Sequence, residues 1–392
     1  MTTDFANWSG LVASRPAEVR AVSSVAEVQV AVADAAAHGW AVRTVGTTHS
    51  HSDVLHADDG LVLLTDGLGG PPVVEPGLSR ARIPGGTKLH AIGGPLWDAG
   101  FSLANQGDVD VQSVAGLVGT GVHGTGRSLR SISDSVVGAT IVTASGDLVS
   151  SDDDPDLLEA ARLNLGALGV VVDLTLRLLP AYHLHERSWS EALTPIMERL
   201  DVLTLATRHF EFFWYPVTDK AYAKALNPCE GPVDPMGDHK GEYVDRSYAV
   251  FPSERADKHT EMEYSVPAEE GPECFLRIRE LMQTRFPAVT WPAEYRTVAA
   301  DEGWISPARG RPTVAISVHQ GVGEPYEEFF AACESIFRDH QGRPHWGKVH
   351  NLTAANFAAE HPDTWERFWG VQARLDPDGR FLNGHLRRVA GR

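Results

Sequence analysis

Two loops built almost wholly from glycine, hydroxyl and histidine residues set the tightest bounds on what this chain can fold into. Gly46, Thr47, Thr48, His49, Ser50 and His51 directly follow a strand-like run from Ala41 to Val45, and Gly119, Thr120, Gly121, Val122, His123 and Gly124 reproduce the glycine spacing of dinucleotide-binding folds. Small residues let backbone N–H groups converge on an anion, or let the backbone approach a flat ring. The second loop lacks the other parts of a nicotinamide-type fold, which needs an apolar-faced helix next. Thr125 to Ser135 is instead polar with scattered arginines. One such loop reads equally as a tight turn between strands; two in one region point toward a nucleotide-sized ligand. His49, His51, Asp53 and His56 are metal-ligand residue types, but ligands alternating with serines read as a polar loop, and no metal is expected.

The flanking pattern is mixed. Ser24 followed by Glu27 is a capping-box signature, and Val28, Ala31, Val32, Ala35 and Ala36 recur at helical spacing until Gly39. Leu61 to Thr65, Gly138 to Ala144 and Val170 to Leu178 read as strands, with a short helix from Leu157 to Leu163. After Pro180 the texture changes to aromatics and charge, with loop-like stretches at Asn227 to Gly237 and Pro267 to Pro272. Amphipathic helices are expected there around Phe275 to Thr284 and Pro325 to Arg338. A turn at Asp376 to Gly379 followed by Phe381 and Leu382 would let the tail return to the first domain.

At 392 residues, two unequal domains are expected. The net charge of −18 repels phosphate backbones and anionic membranes, so nucleic acid and lipid surfaces are excluded as partners and a neutral sugar or polyol fits better. The start MTTDFANWSG has no basic-then-apolar leader, which reads as a cytoplasmic protein. Cys229, Cys274 and Cys333 are odd in number and widely spaced, so they are expected to be ordinary thiols.

VGTTHS at 45–50, SVAGLVGTGVHGTG at 113–126 and GALGVV at 166–171, in that order, resemble the vanillyl-alcohol-oxidase-like flavoprotein superfamily. Within it the chain resembles the aldonolactone and alditol oxidase branch, from Asn7 and Trp8 to Asp376, Gly379, Phe381 and Asn383. The resemblance implies an α+β, two-domain PCMH-type FAD-binding fold. Residues 1–180 plus 349–392 would bind FAD, and 181–348 would form a cap of antiparallel sheet plus helices. It implies that His49 is bonded to the flavin 8α-methyl carbon, that Gly46, Thr47, Thr48 and Ser50 hold the pyrophosphate, that Ser113, Gly116, Thr120, His123 and Gly124 line the flavin, and that Val170 and Val171 lie along the adenine.

Oxidising an alcohol needs a carbinol hydrogen aimed at flavin N5, a proton acceptor and hydrogen bonds that fix the remaining hydroxyls. Glu294 and Arg296, two apart in a strand-like run, share a face. Alone, they and the His345, Trp346, Gly347, Lys348 segment read as solvated charge. The resemblance assigns Glu294 and Arg296 to substrate hydroxyls, Lys348 to the flavin N1/C2 carbonyl side or the reacting hydroxyl, and His345 to the flavin or substrate end. Ser113 joins them as a candidate catalytic residue. Ser317 and His319 stand where alditol-oxidising relatives carry histidine and then threonine, which makes His319 a candidate base and separates this pocket from theirs. Gly107 sits where the family controls oxygen access, which implies an oxidase that passes electrons to O2 and releases H2O2. The alternatives are a dehydrogenase with another acceptor, a tailoring oxidase for a sugar or aminocyclitol product, or a noncatalytic flavin-binding module. A monomer or homodimer is expected.

Overall fold

The computed structural model describes residues 4–235, 241–253 and 257–392. The first helix spans Val25–His38. Its Ser24 cap accepts the Glu27 N–H at 3.3 Å, Glu27 reaches back to the Ser23 N–H at 2.7 Å, and Gly39 ends the helix at φ 69°. Val28, Ala31, Val32 and Ala35 are buried against a parallel sheet in which Leu61–Leu64 lies between Glu18–Ala21 and Val42–Val45. Phe381 is fully buried in the same cluster with Val142 and Val170.

A five-stranded antiparallel sheet follows in the order Leu148–Ser150, Val136–Val142, Val170–Arg177, Arg80–Pro84, Val73–Glu75. The long β-branched runs pair directly with each other here. The glycine pattern at 119–124 closes a helix instead of opening one: Val114–Thr120 ends on Gly121 at φ 77°.

The larger sheet has eight strands among the described residues, all antiparallel, in the order Glu242–Arg246, His183–Ala192, Lys220–Cys229, His209–Tyr215, Ala293–Val298, Thr313–Gly321, His259–Pro267, Arg343–Pro344. Its central strands have two chemically different faces because side chains alternate. Phe212, Trp214, Tyr295, Ile316, Val318, Met262 and Tyr264 join the main apolar cluster with Phe275, Ile278, Phe330 and Phe337 of the helices Gly271–Thr284 and Glu327–Asp339. The opposite face carries Glu211, Glu294, Arg296, Ser317, His319, Glu261 and Glu263, all buried.

Several boundaries differ from the sequence reading. The helix expected from Phe275 begins at Gly271 because Pro272, lacking an N–H, sits in its first turn where none is needed. Asn227 to Cys229, read as loop, continue a strand paired with His183 to His185. The far end of that stretch, Met236 and Gly237, lies outside the described residues.

The C-terminal segment packs on the N-terminal elements. Asn383 donates to the carbonyls of Asp53, Val54 and His56 at 2.8 to 3.2 Å, and the buried Arg43 guanidinium donates to Phe381 O, Gly166 O and Leu165 O. No helix of the described residues is long and apolar enough to cross a membrane.

Candidate functional site

One cavity of about 530 Å³ runs between the two glycine-rich loops and the polar face of the large sheet. The loop after Val45 is pinned by the N-terminal segment: Asn7 Nδ2 donates to Ser50 O, and Trp8 N donates to Thr48 O, each at 2.9 Å. Thr48 holds φ 60°, a left-handed conformation unfavourable for a β-branched residue. Gly46 has no room for a side chain, since a Cβ would fall 2.2 Å from Ser113 Oγ. The first loop therefore packs against the N-terminal cap of the helix that the second loop ends.

Gly46, Thr47, Thr48, His49, Ser50, Gly107, Ser113, Gly116, Thr120, His123, Val170 and Val171 all line this cavity, as do Glu294, Arg296, His319, His345 and Lys348. Gly124 and Ser317 do not. A Cβ on Gly124 would lie 2.3 Å from Asn105 Oδ1 and Gln106 O, so that glycine serves backbone packing. Ser317, fully buried, donates its hydroxyl to Glu263 Oε2 at 2.7 Å. Ser113 caps the helix Val114–Thr120, accepting the Gly116 N–H at 3.3 Å.

The segment from His345 to Lys348 is stitched to both sides. His51 N donates to Gly347 O at 2.6 Å and Ser52 Oγ to Trp346 O at 2.9 Å, while His345 N donates to Glu263 O and Val349 N to Glu261 O. Trp346 faces away, its indole N–H on Ile305 O at 2.8 Å. His49, Lys348 and the carboxylate strands thus reach one cavity from distant parts of the chain.

Glu261 and Glu263, on the strand His259–Pro267, also line the cavity, and the sequence reading passed over them. Their alternation about Met262, in a strand that also carries Thr260, Tyr264 and Val266, was the available signal. Glu263 accepts from Arg296 Nη2 at 2.5 Å and from Ser317, and faces His123 Nε2 at 3.0 Å. Arg296 also meets Glu294 Oε2 at 3.2 Å. Lys348 Nζ rests on Glu261 Oε2. Burial alone would raise both carboxyls, but Lys348 at Glu261, and Arg296 with His123 at Glu263, hold each well below the usual carboxylate range. Burial opposes the charge on Arg296 as well, yet Glu294 and Glu263 hold it firmly ionised.

The histidines behave oppositely. Burial pushes His345 and His319 down to about 4, even against the pull of Glu263 and Glu261. His345 Nδ1 accepts the Gly347 N–H at 3.0 Å, so its Nε2 carries the proton; His319 Nδ1 meets the Pro292 carbonyl at 2.8 Å, so its Nε2 presents a lone pair. Unfolded imidazoles titrate near 6.5. Between that value and about 4 the unfolded chain binds more protons than the folded one, so stability falls as pH falls through this window. Thermal melts at pH 5 should therefore lie below those at pH 7; a melting temperature unchanged between them would contradict neutral burial of these rings.

The loop histidines do not gather a metal by themselves, since His56 turns to Asp58 at 3.2 Å near the surface. Cys274 and Cys333 are buried free thiols, and Cys229 is a partly exposed one.

The family model described as D-arabinono-1,4-lactone oxidase matches residues 174–241 and 234–389, and an FAD binding domain model matches residues 16–152. The chain is 36% identical to L-gulono-1,4-lactone dehydrogenase of Mycobacterium tuberculosis over the whole of both chains. It is 28% identical to an alditol oxidase of a Streptomyces species over 99% of each, and 26% identical to L-gulonolactone oxidase of Bos taurus over 98% of each. Among solved structures, cholesterol oxidase from B. sterolicum superposes with a TM-score of 0.86 at 16% identity, covering 100% of this chain and 97% of that one. That likeness gives the fold, and with the FAD binding domain model it makes the architecture an α+β PCMH-type FAD-binding one. Family models covering both ends of the sequence, and a relative aligned end to end, lead to one conclusion: the chain belongs to the FAD-binding D-arabinono-1,4-lactone oxidase family.

Proposed function

We propose that this protein is an FAD-dependent oxidase of an alcohol carbon in an aldonolactone, an alditol or a related small sugar, with FAD bonded through His49. The observation that carries the reading is the meeting of Glu294, Arg296 and Lys348 on the cavity that also holds His49. The relatives named as gulonolactone, arabinonolactone and alditol enzymes support the substrate class. We read residues 1–180 with 349–392 as the FAD-binding domain and 181–348 as the cap.

The cavity fits the cofactor on its own terms. Gly46, Thr47, Thr48 and Ser50 bring backbone close to a pyrophosphate, Ser113, Gly116, Thr120 and His123 border the ring, and Val170 and Val171 offer an apolar end for adenine. FAD, when bound, accepts the hydride from the carbinol carbon. The protein supplies position and charge: Glu294 accepts from substrate hydroxyls, Arg296 donates to them, and Lys348 places an amine beside the reacting end. His345 offers an N–H and His319 a lone pair. Gly107 borders the cavity with no side chain, which favours access of O2.

A panel of aldonolactones, alditols and cyclitols assayed for peroxide tests this reading. One peroxide per substrate oxidised is expected. Dye reduction without peroxide would replace the oxidase by a dehydrogenase, and neither would reject the activity.

A further inference from the structure

His51 and His259 close on Glu261 within the same cavity. His51 Nε2 and His259 Nε2 each stand 3.8 Å from Glu261 Oε2, and one ligand atom from each of the three residues lies within 4.8 Å of the others. The His51 side chain is 4% exposed, its Nδ1 has no hydrogen-bond partner, and its Nε2 aims at the carboxylate from beyond hydrogen-bond reach. His259 Nδ1 lies 3.0 Å from the Asp257 carbonyl, which can only accept, so that nitrogen carries a proton and Nε2 is the ring atom turned on Glu261. An imidazole whose far N–H is fixed by a backbone carbonyl is the arrangement that orients metal-ligating histidines.

We propose that His51, His259 and Glu261 bind one divalent transition-metal ion, with its remaining coordination positions open to the cavity. Two imidazoles and one carboxylate suit zinc, cobalt or nickel and not the all-oxygen preference of magnesium or calcium. His319 Nε2 lies 3.7 Å from the other carboxylate oxygen, Glu261 Oε1. Lys348 shares Oε2 and is the competitor for it.

Zinc titrated calorimetrically into the full-length, EDTA-stripped protein is expected to saturate at one ion per chain. His259→Ala and Glu261→Gln should each weaken binding by at least about tenfold. Copper(II) bound to the wild type should show nitrogen hyperfine coupling from two imidazoles in its electron paramagnetic resonance spectrum, a readout that needs no variant to fold. Absence of saturable zinc binding, unchanged affinity in both folded variants, or an oxygen-only copper spectrum would overturn the site. None of these readouts depends on turnover, so their failure leaves the flavin reading standing, and failure of that reading leaves this site standing.

Discussion

Acid-precipitated His49→Ala protein is expected to release all of its flavin, while the precipitated wild type stays yellow. The imidazole is neutral at ordinary pH because burial, and then the nearby charge of Lys348, push it down to about 4. A neutral ring offers the nitrogen lone pair that a bond to the flavin methyl carbon requires. Its place is fixed by Trp8, whose ring centroid lies 5.1 Å away, and by the hydrogen bonds that pin the loop to Asn7 and Trp8. The native variant should still bind FAD, since the rest of the cavity is untouched, and the altered cofactor potential should slow it. Denaturing gel fluorescence reads the bond directly. Flavin that remains attached to the denatured variant would place the linkage elsewhere.

Arg296→Met is expected to lower kcat/KM by about 10²–10³-fold, a loss of about 2.7–4 kcal/mol in transition-state stabilisation. The guanidinium is clamped between Glu263 and Glu294 where it lines the cavity, so it cannot swing to solvent. Its removal also strands Glu263, which keeps only Ser317 and His123 as partners. Breaking a buried pair this way costs about 3–5 kcal/mol, so melts must accompany the kinetics. Glu263→Gln separates the two effects. It keeps the shape of the clamp but loosens Arg296, and it should raise KM more than it lowers kcat. A folded Arg296→Met with wild-type kcat/KM would remove this residue from substrate binding.

Much of this site was legible because its signals are local. Ser24, Glu27 and Gly39 mark both ends of the first helix, and Glu294 with Arg296 share a strand face whatever surrounds the strand. The order of the glycine loops carried the family. Glu261 and Glu263 were not legible in the same way. Their alternation fits a solvent-facing strand equally well, and they face the cavity only because Thr313–Gly321 and Arg343–Pro344 flank their strand on either side. The approach of His51 to His259 joins residues far apart in sequence, and no spacing rule anticipates it. Ser317 shows the converse: it shares the face of Glu294, yet the carboxylate of Glu263 takes up its hydroxyl before it can reach the cavity.

FAD held in the cavity against Glu294, Arg296 and Lys348 would take its electrons from a hydroxylated carbon. Anaerobic mixing of the purified yellow protein with aldonolactones and alditols tests it most directly. At least one of them should bleach the flavin's visible absorbance, and Arg296→Met should bleach far more slowly. Flavin that dithionite reduces but no lactone or alditol touches would contradict the account.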